Sequence, residues 1–187
     1  MMERQAEAIT EMKRAIRLDP HVSVIRWGLA VVYWCGRRYD EAIEALRQSL
    51  ALDPDSAQAH FWLGLCYLAD GSCEPALTVL RRAVELSQGA VIGNDCLGEA
   101  YAAAGFTDHA HTILQELSRA TYLPKYSVAR LYAALGMQKQ ALELLEAGSR
   151  EHSEWLPLLK VDSRFDDLRP DSRFQDLLLR MNFPVGV

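Results

Sequence analysis

One step length recurs through most of this 187-residue chain and limits what it can fold into. Ala8, Ala42, Ala76 and Ala110 are each 34 residues apart; Tyr33, Tyr67 and Tyr101 keep the same step, as do Leu29, Leu63 and Leu97. A further copy, Tyr132 with Ala141, follows after a step of 31. Ala57–Ala90 is the clearest copy. Leu63, Gly64 and Tyr67 share one face of a first apolar-periodic segment, and Ala76, Leu80 and Ala83 share one face of a second. Asp70-Gly71 breaks the pattern between them. Small residues where Gly64 and Ala76 are expected to meet let two helix backbones approach and cross as an antiparallel hairpin. Such a hairpin keeps an apolar face on each side and is stable only when stacked on others.

A 34-residue period with L-G-x-x-Y in the first helix and A-x-x-x-Leu or Phe in the second resembles the tetratricopeptide repeat signature from about Gln5 to Gly148. Two family positions differ: the first-helix Trp is Arg26, His60 and Asn94 here, and the closing Pro survives only as Pro20 and Pro54. The resemblance implies an all-α, right-handed superhelical solenoid of antiparallel helix hairpins, with a C-terminal helical cap. The array is expected over residues 1–150, as a half-repeat at 4–20 and repeats at about 23–56, 57–90, 91–121 and 122–150. Capping helices and a short tail are expected over 151–187.

Local signals place the helices. Arg4–Leu18 reads as a second helix without its first; either the chain starts on a half-repeat or, the favoured reading, it is a piece of something longer. Val24–Cys35 pairs with Asp40–Leu52, Ile92–Ala104 with Asp108–Ala120, and Gln138–Ala147 completes the last hairpin. Ser56 and Thr107 are expected N-caps, and Pro75 and Pro124 fit first-turn positions, where backbone N–H groups lack partners. Gly136 closes a helix.

After Gly148 a different pattern begins. DSRFDDL at Asp162 and DSRFQDL at Asp171 lie nine residues apart, and Ser172-x-x-Gln175 can form a capping box for a terminal helix. Phe165, Leu168, Phe174, Leu177 and Leu178 are expected to cover the last hairpin. Trp155–Met181 resembles a bacterial terminus of the LKVDPRF…LRxDPRFQDLL type, with Ser163 and Ser172 where that pattern has prolines. That terminus closes repeat arrays behind winged-helix activators, nucleotide cyclases and serine/threonine kinases. The resemblance implies the C-terminal portion of a larger regulatory protein.

Composition excludes several functions. The net charge of −5 and the lack of a dense Lys/Arg stripe speak against nucleic-acid binding. The longest uncharged apolar run, Trp27–Cys35, is too short to span a bilayer. The opening MMERQAEAITEMKR reads as an amphipathic helix rather than a signal peptide. Cys35, Cys66, Cys73 and Cys96 show no C-x-x-C spacing and read as free thiols in a reducing cytoplasm. There is no phosphate-cradling loop, nucleophile–base arrangement or zinc spacing, so neither catalysis nor a cofactor or metal is expected.

In this repeat family the first helices line a concave groove. The groove positions are Trp27, Val31 and Trp34, then Phe61, Leu65 and Leu68, then Asp95, Glu99 and Ala102, then Tyr126, Arg130 and Ala133. The groove is thus expected to be aromatic and aliphatic first and charged further on. Leu29, Ala30 and Tyr33 already supply a packing face for Val24–Cys35, so Trp27, Val31 and Trp34 make that helix apolar all round. Asp95 and Glu99, at i and i+4, read as an acidic patch facing solvent or a partner, not as an acid–base pair or a metal site. The carboxylate clamp of chaperone-tail-binding relatives has no counterpart at Trp27, Val31, Gly28, Trp62, Gln58 or Cys96. The expected function is non-enzymatic recognition of a protein or peptide bearing an apolar anchor and a basic group. The alternative is self-association through the Trp-rich face.

Overall fold

The computed structural model describes residues 2–87, 93–119, 124–151 and 155–181, with side chains from Arg4 onward. Among them are ten α-helices, two 3-10 turns and no strand. The chain divides into two compact units, Met1–Asn94 and Asp95–Val187. No described helix is long and apolar enough to cross a membrane.

Unit 1 holds α1 (Met2–Leu18), α2 (Ser23–Cys35), α3 (Tyr39–Leu52), α4 (Ala57–Ala69) and α5 (Cys73–Leu86). α2 pairs with α3 and α4 with α5 as hairpins, while α1 packs on α2 and α3 on α4. Each helix buries the stripe that its periodicity marks, such as Ala42, Ile43, Ala45, Leu46 and Ser49 of α3. The Ser49 hydroxyl is fully buried and donates to the Ser23 carbonyl at 2.9 Å, which fixes α3 against the start of α2. Ser56 caps α4, accepting from the Ala59 N–H at 3.3 Å. At Gly64 the helices approach closely, and the Leu80 side chain fills the space above the glycine; a Cβ there would lie 2.4 Å from Leu80 Cγ.

Unit 2 holds α6 (Asn94–Ala103), α7 (Thr107–Ser118), α8 (Lys125–Ala134), α9 (Gln138–Arg150), 3-10 turns at Leu156–Leu158 and Ser163–Leu168, and α10 (Ser172–Arg180). Of the expected helix ends, Ile92 and Ala120 lie outside the described residues. Thr107 is the first residue of α7, not its cap, and no side chain caps that helix. One core gathers Ala110, Leu114 and Leu117 of α7 with Val128 and Leu131 of α8. A second joins Tyr126, Ala129, Ala141, Leu142 and Leu145 to Leu156, Leu159, Phe165, Leu168, Phe174 and Leu177.

The corner between the two helices of each hairpin repeats closely. The N–H groups of Arg38, Ser72, Phe106 and Met137 each donate to the carbonyl of the repeat's Tyr, at 2.8–3.0 Å. This long-range bond marks a Schellman ending, which needs one residue in the left-handed region. Gly71, Gly105 and Gly136 take it with φ of 80, 83 and 74°; in the first hairpin Arg37 takes it with φ 56°.

Candidate functional site: an open apolar face and a buried ion-pair network

Of the twelve groove positions, Ala102 and Ala133 are half-buried alanines, and the other ten separate into two groups. Trp27, Val31, Phe61 and Leu68, on α2 and α4, are half-buried and keep part of their apolar surface open. Trp34 and Leu65, expected beside them, are sealed at 1% and 3% exposure. Trp34 meets Trp62 edge-on at 5.8 Å, and Trp62 meets Phe61 at 5.6 Å, so this aromatic row joins α2 to α4. The physical reason is crowding. α2 contacts α1, α3 and α4, so the all-round apolarity of α2 is satisfied largely inside unit 1.

In unit 2 the expected groove residues Asp95, Glu99, Tyr126 and Arg130 are all buried. The reading of Asp95 and Glu99 as a solvent- or partner-facing acidic patch is therefore corrected: their basic partners come from this same chain. α8 supplies Arg130, which donates to Asp95 and, at 3.3 Å, to the Ser127 hydroxyl, and stands 3.3 Å from Glu99 Oε1. The second 3-10 turn supplies Arg164, whose Nη1 is 3.2 Å from Glu99 Oε2. The rest of the Arg164 fork binds Asp162, with Nε to Oδ1 at 2.8 Å and Nη2 to Oδ2 at 2.7 Å. Asp162 also accepts from its own turn, at the Arg164 N–H (3.1 Å), and from the Tyr126 hydroxyl at 2.7 Å.

Burial and charge compete at each group. Desolvation alone would raise the carboxyls of Asp95 and Asp162. The guanidiniums of Arg130 and Arg164, with hydrogen bonds to the charged forms, hold both below the usual aspartate range. At Glu99 desolvation wins over both guanidiniums and the carboxyl is pushed up. Burial also raises the Tyr126 hydroxyl, the Cys96 thiol, and the Cys66 thiol, the last to about 12.

Asp95, Cys96 and Glu99 place three ligand atoms within 4.8 Å of one another. They do not fit a cation. Both carboxylates already face guanidiniums, and the thiol between them is held in its neutral form by burial, whereas a metal requires thiolate. The arrangement organises charge inside the fold and offers neither a nucleophile nor a proton-transfer group reachable by a substrate.

Asp162 and Arg164 were absent from the expected site, yet a signal for them is present. D-S-R-F occurs twice, and both copies make the same kind of contact. Asp171 accepts from the Arg173 N–H at 2.8 Å, making Asp171 the cap of α10 in place of the expected Ser172. Arg173 forks onto Glu146 of α9 at 3.0 and 3.1 Å, and Phe174, like Phe165, is fully buried. Glu99 and Arg130 also occupy the same position of successive repeats, an acid followed by a base.

The tetratricopeptide repeat family model matches residues 2–48 and 29–91. No curated protein matches the sequence. Among solved structures, the chain is similar to TTC0263, a thermophilic TPR protein in Thermus thermophilus, at 23% identity over 95% of this chain and 92% of that one, with a TM-score of 0.64. It is similar to MamA at 22% identity over 78% and 87% of the two chains, with a TM-score of 0.57. For YrrB, a TPR protein with an unusual peptide-binding site, the values are 14%, 90%, 89% and 0.55. At these identities the likeness is one of fold.

Proposed function

We propose that this chain, whose residues 2–91 match the tetratricopeptide repeat model and whose described residues fold as all-α hairpins, is a tetratricopeptide-repeat protein with a non-enzymatic role in recognising a peptide or helix of another protein. The surface assigned to that role is the first-helix face of unit 1, where Trp27, Val31, Phe61 and Leu68 offer pockets for an apolar anchor. One observation supports this choice above others. These four side chains stay half-exposed, whereas the charged counterparts in unit 2 are buried against partners within the chain. The basic group expected on the partner accordingly has no acid left to meet at Asp95 or Glu99. A peptide-binding site in the fold relative YrrB is in keeping with this class of partner.

The resemblance of Trp155–Met181 to regulator termini supports placing the chain as the C-terminal arm of a larger, cytoplasmic bacterial regulator; the codons upstream of Met1 test that placement. The binding surface is tested by selecting peptides from a display library on the parent chain. The selected peptides should bind a Trp27→Ala/Phe61→Ala variant at least about tenfold more weakly. Equal binding to a variant of unchanged helicity removes the surface from consideration. A dimer in sedimentation equilibrium that dissociates on Trp27→Ala assigns the same face to self-association.

A further inference from the structure

Two copies of one tetrapeptide, in one chain, fold alike and reach for the same chemistry. In each, the Asp carboxylate accepts from the Arg N–H two residues on, at 3.1 and 2.8 Å, which shapes the turn locally. In each, the Arg reaches a Glu on a repeat helix, and the Phe enters the second core of unit 2. The copies differ in depth. Arg173 and Glu146 remain partly open, whereas Arg164 and Glu99 are 9% and 4% exposed. A motif whose turn is made by its own residues is preorganised, and preorganisation lowers the cost of docking.

The face that receives the first copy is built for it. Without residues 162–165, α6 and α8 bring together Asp95, Glu99 and Arg130, and the Arg130 guanidinium is shared between the two carboxylates. The motif adds one guanidinium and one carboxylate, and Arg164 is the group that faces Glu99 Oε2. Its planar fork sets two nitrogens on Asp162 and the third on Glu99, a division that an ammonium cannot make. The aromatic half matches too: the Phe165 ring meets Tyr126 edge-on at 5.5 Å, and the Tyr126 hydroxyl bonds to Asp162.

We propose that the face formed by α6 and α8 is a receptor for an Asp-x-Arg-Phe peptide, and that this chain fills it with its own residues 162–165. Glu99 reads the guanidinium, Tyr126 reads both the aspartate and the phenyl ring, and Asp95 with Arg130 sets the local charge. The inference is independent of the surface assigned to unit 1. A partner carrying the same motif competes with a tethered copy whose effective concentration is high, so binding in trans depends on loosening the segment in cis.

A fluorescent peptide spanning Lys160–Arg169 tests this on the full chain. It should bind an Arg164→Ala/Phe165→Ala variant at least about tenfold more tightly than the parent. Replacing the peptide's own Arg or Phe by Ala should abolish the difference. Equal binding to parent and folded variant, or indifference to the peptide's Arg and Phe, overturns the proposal. Should the double variant lack helical circular dichroism, the parent decides the matter by hydrogen exchange under excess peptide. Faster exchange confined to residues 163–168, with α6 and α8 unchanged, supports the proposal; no change at the highest soluble peptide concentration overturns it.

Discussion

Corresponding positions on the first helices meet opposite ends in the two units. On α2 and α4 they are apolar, and Trp27, Val31, Phe61 and Leu68 retain open surface. On α6 and α8 they are Asp95, Glu99, Tyr126 and Arg130, and all four are buried. Polarity alone would suggest the reverse, because charged groups are the ones that lose most on leaving water. The difference lies in what the rest of the unit supplies. Unit 2 brings a second guanidinium from a 3-10 turn and a third carboxylate from that turn's cap, so two guanidiniums serve three carboxylates, of which Glu99 is the one pushed up toward its neutral form. A repeat position is therefore not a binding position by its place in the helix. It is one only where the chain's own residues do not already fill it.

The sharpest way to break this contrast is to remove the matching cation. Arg164→Ala leaves Asp162 and Glu99 facing a cavity with one guanidinium for three carboxylates. Breaking a buried pair from one side costs about 3–5 kcal/mol, far more than the pair itself adds over a well-packed apolar replacement. Urea unfolding should show that loss. Trp27→Ala, on the open face of unit 1, should lose less under the same conditions. Comparable losses from the two variants would mean that the unit 1 face is also part of the packed interior.

Close helix approach gives a second, smaller contrast. In unit 1, Gly64→Ala drives a methyl to 2.4 Å from Leu80 Cγ, a side chain with no exposure and little freedom to move. Overpacking of this kind costs about 1–3 kcal/mol, offset by up to about 1 kcal/mol of helix propensity. In unit 2, Gly98→Ala meets Leu131 Cδ2 at 3.0 Å and Ile113 Cγ2 at 3.1 Å, a gap that a few tenths of an ångström relieves. Gly64→Ala should therefore lower the urea midpoint clearly and Gly98→Ala only slightly. If the order is reversed, Leu80 has room that its full burial denies.

Protonation separates the members of the buried network. Asp95 and Asp162 have folded values below the unfolded reference of about 3.9, so their contribution is present above that pH. It is lost as pH falls through the folded values, because the unfolded chain then binds more protons. Glu99 runs the other way. Its folded value lies above the unfolded reference of about 4.3, so its contribution is complete below that pH and is lost as pH rises through the folded value. Glu99→Gln removes this second limb only. The stability of the variant minus that of the parent, from urea midpoints between pH 4 and 8, should increase with pH. A flat difference would show that Glu99 titrates as it does unfolded.

Much of the fold was legible because its signals are local and repeated. The 34-residue step located the hairpins, and Gly71 and Gly136 marked corners that the left-handed backbone angle bears out. Trp34 was misplaced because periodicity identifies a helix face but not how many neighbours will cover it. Glu99 was read as open because one of its cations, Arg164, is 65 residues away and belongs to a segment outside the repeat, and Asp95 because its cation, Arg130, lies on a helix of the next repeat. The pairing of Glu99 with Arg130 was within reach, since both sit at one position of adjacent repeats. Ser172 lost the cap to Asp171 for a plainer reason. The D-S-R-F turn aims the aspartate at the Arg N–H, and the serine that follows is already helical.

The smallest expected effect concerns the one hairpin corner without glycine among the described repeats. Arg37 holds φ 56° where Gly71, Gly105 and Gly136 hold φ near 80°. A side chain in that region places its Cβ close to the carbonyl oxygen that follows, at a cost of about 1–2 kcal/mol. Glycine escapes this cost but has more freedom to lose on folding, worth about 0.5–1 kcal/mol. The difference leaves Arg37→Gly more stable by up to about 1.5 kcal/mol, read as a small rise in urea midpoint with an unchanged slope. Gly71→Arg, the same exchange in reverse on the neighbouring hairpin, should lower the midpoint by a similar amount. The two variants together separate backbone strain from side-chain contacts: strain alone predicts equal and opposite shifts, whereas a contact made by the Arg37 guanidinium would shrink the gain at residue 37 and leave the loss at residue 71 intact.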